Sequence, residues 1–481
     1  MKPLSRRQAL ALGVAGAGAI AIGGGGLLLA QAPFRPETGG RLKEPVVLSN
    51  RGTVLNVRLE AAPAAVTVAG RPASVAAYNG SLPGPTLRLR PGDRLHATLV
   101  NGLGAPTNLH VHGLHVSPSG NGDNSFVRVE PGASFDYEYV LPANHPSGTF
   151  WYHPHHHGSV ADQLAAGLYG AIIVEDLEEV PVTRERLLLV SDISLTGTGS
   201  LRPPSTAEQM SGREGETVMV NGQVRPVLSA TSGDRERWRI INACPARYLR
   251  LQMEGSQLQV LAIDGRSLVT PAQLEEFLLA PGNRADLLVE LVDGTTILRA
   301  APYDRGSMTG MMGRGRAAVS RPIDLLTVTT GGPPHSGLPP VPGTRGLRDL
   351  RKEPVVARRR LDFSMGMGSG MSPDGIQFTI NGKEFDAGRI DEIVSVGSVE
   401  EWTLTNSSPM DHPLHLHVWP VQIIEKGRAP TGPTLQDVVN IPARGEVKIL
   451  VSFDDFPGRT VFHCHILDHE DMGMMGVIEA R

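Results

Sequence analysis

Twelve residues near the C-terminus, His463-Cys464-His465-Ile466-Leu467-Asp468-His469-Glu470-Asp471-Met472-Gly473-Met474, bring together three imidazoles, one thiol and two thioethers. Thiolate, imidazole and thioether form a ligand set suited to copper. Three more His-x-His pairs stand upstream, His110/His112, His153/His155 and His415/His417, with His412 shortly before the last. In a strand, residues i and i+2 share a face. Each pair therefore presents two imidazoles to one side, and the four pairs offer eight. In the last pair the middle residue is Cys464, which must face the other way. There it can meet His412, His469 and Met474, and thiolate, two imidazoles and a weak axial thioether make an electron-transfer site of the blue-copper type. Zinc fits less well, because its structural sites take four ligands. A Cys244–Cys464 bridge would leave the surrounding imidazoles without a role, so Cys244 reads as a buried small hydrophobe.

These pairs sit at fixed places in an internal repeat. Asn79-Gly80, Asn221-Gly222 and Asn381-Gly382 are hairpin turn signals. Each is followed by Gly92, Gly233 or Gly397, and nine residues later by Asn101, Asn242 or Asn406. The stretches between alternate polar and apolar, as half-buried strands do. Nine and eleven residues after Asn101 stand His110 and His112; the same offsets from Asn406 give His415 and His417, and from Asn242 give Leu251 and Met253. The stretch Trp151-Tyr152-His153-Pro154-His155 matches Val461-Phe462-His463-Cys464-His465 in the same way, and the middle unit has no counterpart. The repeat predicts three β-sandwich domains over residues 42–178, 179–332 and 351–481, with a Pro/Gly linker at 333–350. Units one and three are expected to meet around metal, with unit two as a spacer.

Hydrophobic content of 40% and 20% charge suit a globular chain, and a net charge of −4 gives no reason to expect nucleic acid as a partner. The first residues carry Lys2, Arg6 and Arg7, then a Gly-rich apolar run ends in Ala30-Gln31-Ala32. Residues 1–32 read as an export signal, with Ser5-Arg6-Arg7-Gln8-Ala9-Leu10 resembling a twin-arginine signal. The protein is expected to use twin-arginine export machinery, to be periplasmic or extracellular, and to be a monomer.

With Leu109-His110-Val111-His112-Gly113, Trp151-Tyr152-His153-Pro154-His155, His412-Pro413-Leu414-His415-Leu416-His417 and His463-Cys464-His465 through Met474, the chain resembles the three-domain multicopper oxidases. The resemblance implies an all-β chain of three cupredoxin-like Greek-key sandwiches holding four copper ions. Type 1 copper would take His412, Cys464, His469 and Met474, and type 2 His110 and His415. The type 3 pair would take His112, His153, His155, His417, His463 and His465. Such enzymes oxidise substrate one electron at a time and reduce O2 to water. Glu470 and Asp123 resemble the family's proton-relay acids. The alternatives are an orienting role for Glu470 toward a ligand imidazole and a turn-forming role for Asp123.

Two substrate classes fit. One is phenols and aromatic amines, as for a laccase. The other is Cu(I), oxidised to Cu(II) in copper tolerance. Soft thioethers suit Cu(I), and Met308, Met311 and Met312, then Met365, Met367 and Met371, form two short clusters read as Gly-rich loops. Met410 matches a position near type 1 copper in bacterial periplasmic cuprous oxidases. The laccase-like reading is preferred because both clusters are short. A copper-storage protein would not need both kinds of site, and a nitrite reductase would lack the full set of eight histidines.

Overall fold

The computed structural model describes residues 38–481 apart from 69, 256, 307–320, 334–336, 342, 344–346, 367–375 and 426–432. The export-signal reading and Met308, Met311, Met312, Met367 and Met371 fall outside the described residues.

Six sheets pair into three sandwiches, each with its own hydrophobic core. The first uses strands between Val47–Ser49 and Gly170–Val174, the second between Arg184–Ile193 and Ile323–Gly331, the third between Val355–Gly366 and Met475–Ala480. One parallel pair recurs in all three: Val54–Val68 with Arg94–Asn101, Arg184–Ile193 with Arg235–Asn242, and Val355–Gly366 with Ser398–Asn406. The other pairings are mainly antiparallel, and strands adjacent in a sheet are often distant in sequence, as Greek-key crossovers require. Among the described residues the α-helices are short: Val160–Ala165, Thr206–Ser211 and Leu467–Asp471. None is long and apolar enough to cross a membrane.

The repeat has a physical basis in its asparagines. Asn79, Asn221 and Asn381 adopt φ of 52°, 52° and 54°, and the following glycines are also left-handed, as a tight hairpin turn requires. Each Asn side chain accepts a main-chain N–H from the neighbouring strand, of Glu60, Leu189 and Asp362 respectively. Asn101, Asn242 and Asn406 act as staples. Each amide group donates to two carbonyls: Ala105 and Val129, Arg247 and Leu279, Met410 and Ile441. The loop leaving each staple is thereby fixed, so the next strand starts at a constant offset, and in the first and third units that strand carries a His-x-His pair.

Met365 departs from its loop reading. It ends the inward-facing series Leu361, Phe363, Met365 on the strand Val355–Gly366 and is buried in the third core, because alternation continues to the strand's last turn.

Gly80, Gly222 and Gly382 test the turn argument. Alanine at any of them must take a left-handed φ, costing about 1–2 kcal/mol. At Gly222 the new Cβ also lies 2.6 Å from the Leu82 carbonyl, whereas at Gly80 and Gly382 nothing lies within 4 Å. Overpacking adds about 1–3 kcal/mol. Gly222→Ala should therefore lower the melting temperature most; equal shifts for all three would contradict this contact.

Candidate metal centre

The strands His412–Leu416 and Gly458–Cys464 pair antiparallel, with Leu414 opposite Cys464 and His415 opposite His463. Parity then divides the side chains. His412 shares a face with Leu414 and Cys464, while His415 and His463 point to the other side. On the first side, Cys464 Sγ lies 3.4 Å from His412 Nδ1 and 3.9 Å from His469 Nδ1, and the two Nδ1 atoms are 3.3 Å apart. The outer nitrogens are held away: His412 Nε2 donates to Ser408 Oγ (2.8 Å) and His469 Nε2 to the Met210 carbonyl (3.2 Å). The Ile466 N–H donates to the sulfur at 3.4 Å. Met474 is buried in the same core, and its carbonyl accepts the Cys464 N–H at 3.0 Å. Cys464 and Cys244 are both free.

The other side faces the first sandwich. There His110 pairs opposite His153, and His112 opposite Trp151. The histidine strands of the two sandwiches interleave across the interface: His110 stacks on His417 with ring centroids 3.9 Å apart, and His112 on His415 at 3.8 Å. His463 Nε2 lies 3.1 Å from His155 Nε2 and 3.3 Å from His417 Nε2. Three ring nitrogens converging this closely call for a cation or a shared proton between them. His110 Nε2, His415 Nε2 and both nitrogens of His465 are buried without a hydrogen-bond partner. Unpartnered buried nitrogens cost free energy, and a bound metal removes that cost. The donor set therefore fits copper on both faces: a thiolate with two imidazoles on one, and eight imidazoles on the other.

Burial pushes every one of these imidazoles toward its neutral form, the form that binds metal, with His412 near 3 and His155 and His463 near 4. Burial raises the Cys464 thiol well above its ordinary range. Asp123 accepts His110 Nδ1–H at 2.9 Å and the Val111 N–H at 3.1 Å, and burial lifts its carboxyl to about 8. Glu470 is fully buried and lifted to about 7, again by desolvation. Its Oε2 lies 2.9 Å from His463 Nδ1 and its Oε1 3.4 Å from His155 Nε2. That His463 nitrogen is directed at the Cys464 carbonyl at 3.0 Å, so neither Glu470 oxygen gains a hydrogen bond.

Four neighbours were not singled out from the sequence, and only Trp151 had a signal there. Trp151 stacks on His153 at 4.3 Å, and strand alternation from His153 would have placed it on the cluster face. Ser125 Oγ lies 3.3 Å from His417 Nδ1, Ser408 holds His412, and Asp437 holds both His112 and His415. Position alone distinguishes these from ordinary loop residues. The second sandwich is also more than a spacer. An added Cβ at its Gly282 would meet the His465 ring at 2.8 Å, so its main chain walls the cluster. Its helix Thr206–Ser211 contains Met210 and covers the outer edge of His469. Met410 is buried beside the same core, and Gly306 of the second sandwich bridges to it.

Known proteins are similar to this chain in sequence and in fold. Family models described as multicopper oxidase match residues 60–179, 194–301 and 360–481. A multicopper oxidase of Staphylococcus haemolyticus is 30% identical over 84% of this chain and 83% of its own. A multicopper oxidase of Campylobacter jejuni described as a metallo-oxidase superposes with a TM-score of 0.82, at 27% identity, over 94% of this chain and 98% of its own. A laccase of Pediococcus acidilactici gives 0.78 at 25% identity, over 94% and 96%.

The buried imidazoles set the acid limit of the metal-free protein. Ten of them are held below their ordinary pKa, so under about pH 6.5 the unfolded chain takes up more protons than the folded one. Each such proton removes about 1.4 kcal/mol of stability per pH unit. The raised carboxyls of Asp123, Asp192, Asp437, Asp468, Glu470 and Asp471 act in the opposite sense but are fewer. The melting temperature of the apoprotein should fall between pH 6.5 and 5; a flat or rising profile would contradict neutral buried imidazoles.

Proposed function

The chain belongs to the multicopper oxidases, copper-dependent oxidoreductases that use O2, and on that premise we propose that it oxidises phenols and aromatic amines in the manner of a laccase. The observation that carries the oxidase reading is the pair of donor sets on opposite faces of one strand, Cys464 on one and His463 on the other, and the laccase-like substrate is preferred to Cu(I) because both methionine clusters are short. In our assignment His412, Cys464, His469 and Met474 hold type 1 copper. His110 and His415 hold type 2, and His112, His153, His155, His417, His463 and His465 hold the type 3 pair. Bound there, four coppers would accept electrons singly from substrate and supply four to O2, giving water.

The protein's own groups do the rest. Cys464 joins the two sites by the covalent path to His463 and His465, and burial of every donor keeps water from the electron route. Glu470, poised near neutral pH, serves as a proton donor beside His155 and His463. Asp123 accepts the His110 Nδ1–H and so orients that ring, and burial raises its carboxyl pKa. Export through the twin-arginine route and action as a monomer complete the reading.

A cuprous oxidase is the second reading. Met365 and Met410 lie in the same core as Cys464 and Met474, and the Campylobacter relative is described as a metallo-oxidase. Steady-state kinetics on the copper-loaded protein separates the two. Turnover of 2,6-dimethoxyphenol without added Cu(II) supports the laccase reading; phenol turnover only with added Cu(II), beside fast Cu(I) oxidation, moves it to cuprous oxidase. Replacing Met365, Met367 and Met371 together should then weaken Cu(I) oxidation and spare phenol. Cys464→Ser should abolish both the intense blue absorption and all turnover, and a variant that stays intensely blue would contradict the type 1 assignment.

A further inference from the structure

Among the described residues the second sandwich supplies none of the twelve candidate ligands, yet its Arg284 is fully buried where all three sandwiches meet. The guanidinium fork donates to both carboxylate oxygens of Asp437, at 2.5 and 2.7 Å. Its Nε donates to the Thr149 carbonyl at 3.1 Å, on the strand that ends at His153. Asp437 belongs to the third sandwich. One of its carboxylate oxygens accepts His112 Nε2–H at 3.1 Å, and its main-chain carbonyl accepts His415 Nδ1–H at 2.8 Å. One ion pair therefore touches a histidine from each of the two metal-facing sandwiches.

The pair is held by main chain as well as by charge. Asp264 of the second sandwich accepts the N–H groups of Arg284 (2.9 Å), Asp437 (3.1 Å) and Val438 (3.1 Å). Asn283 bridges Asp264 to the Val438 carbonyl. Gly113, directly after His112, leaves just enough room: a Cβ there would run into the Arg284 guanidinium.

This bears on which nitrogen each imidazole offers to metal, because a hydrogen bond at one ring nitrogen decides the role of the other. His110, His153, His415 and His463 all commit Nδ1 outward, to Asp123 or to a main-chain carbonyl. His112 is reversed. Its Nε2 is committed to Asp437, and its Nδ1 faces His153 Nε2 at 3.4 Å. We infer that Arg284 is a positioning residue which, by locking the Asp437 carboxylate, fixes His112 in this reversed state and aligns it with His415. The copper-free sandwich thus sets the geometry of the cluster face. A planar fork holds both oxygens and stops the carboxylate from turning, which a point charge cannot do.

The inference rests on the ligand assignment for His112 and His415, and one experiment separates the two. Full-length protein is loaded with copper and dialysed against a chelator. The type 2 electron paramagnetic resonance signal and the near-ultraviolet band of the coupled pair report the cluster, and the blue band reports the Cys464 site. Arg284→Lys keeps the charge and loses the fork. It should lose cluster copper about 10–100-fold more readily than wild type, with the blue copper retained. Asp437→Asn carries the same expectation should Arg284→Lys fail to fold: an amide has one oxygen, so His112 or Arg284 must face an N–H group. Equal loss from both kinds of site, or a fall in melting temperature with cluster retention unchanged, would overturn the positioning role. A wild type that loads no cluster copper overturns the ligand assignment and this inference with it; a loaded wild type matched by its variants overturns the inference alone.

Discussion

Everything at the metal centre depends on side-chain alternation along one strand pair. With His415 opposite His463, Leu414 must lie opposite Cys464, and His412 must then share the Cys464 face. A slip of one residue would send Cys464 into the imidazole cluster and turn His463 toward the third core. Register is pinned by the Asn406 staple and by the hydrophobic core around Trp402 and Phe462. The same constraint makes the two donor sets neighbours in the chain while keeping their side chains apart.

A cluster of imidazoles at this density is costly until it is compensated. The neutral form avoids repulsion among rings stacked at 3.8 and 3.9 Å, but it leaves nitrogens such as His110 Nε2 and His415 Nε2 without partners. Such strain at a functional site is offset by stability elsewhere. Here it is offset by three large cores and by ion pairs at the junctions, including Arg213 of the second sandwich with Asp468 beside His469. His469 is buried, its outer nitrogen capped by the Met210 carbonyl, so a donor meets the helix Thr206–Ser211 before it meets the ligand.

Local pattern carried much of this into the sequence. The Asn-Gly turns, the Asn staples and the nine-residue offsets are short-range, and they placed the three sandwiches and the four His-x-His pairs. Long-range contacts were not readable. Asp437 follows a Gln in an unremarkable stretch, and only the fold brings it to His112, 325 positions earlier. The second unit lacks histidines, which suggested a spacer, whereas its Gly282 and Arg284 act through shape and hydrogen bonds rather than ligation. Met365 looked like part of a flexible Gly-Met loop, although alternation from Leu361 and Phe363 already pointed it inward.

The central claim is that one strand separates an electron-entry site from an oxygen site. Anomalous diffraction at the copper edge, on crystals of the copper-loaded protein, tests it most directly. The account predicts one copper between His412, Cys464 and His469, and three more among the eight imidazoles shared by the first and third sandwiches. Copper bound on only one face of the strand, or a Cys464 sulfur without metal beside it in fully loaded crystals, would contradict it.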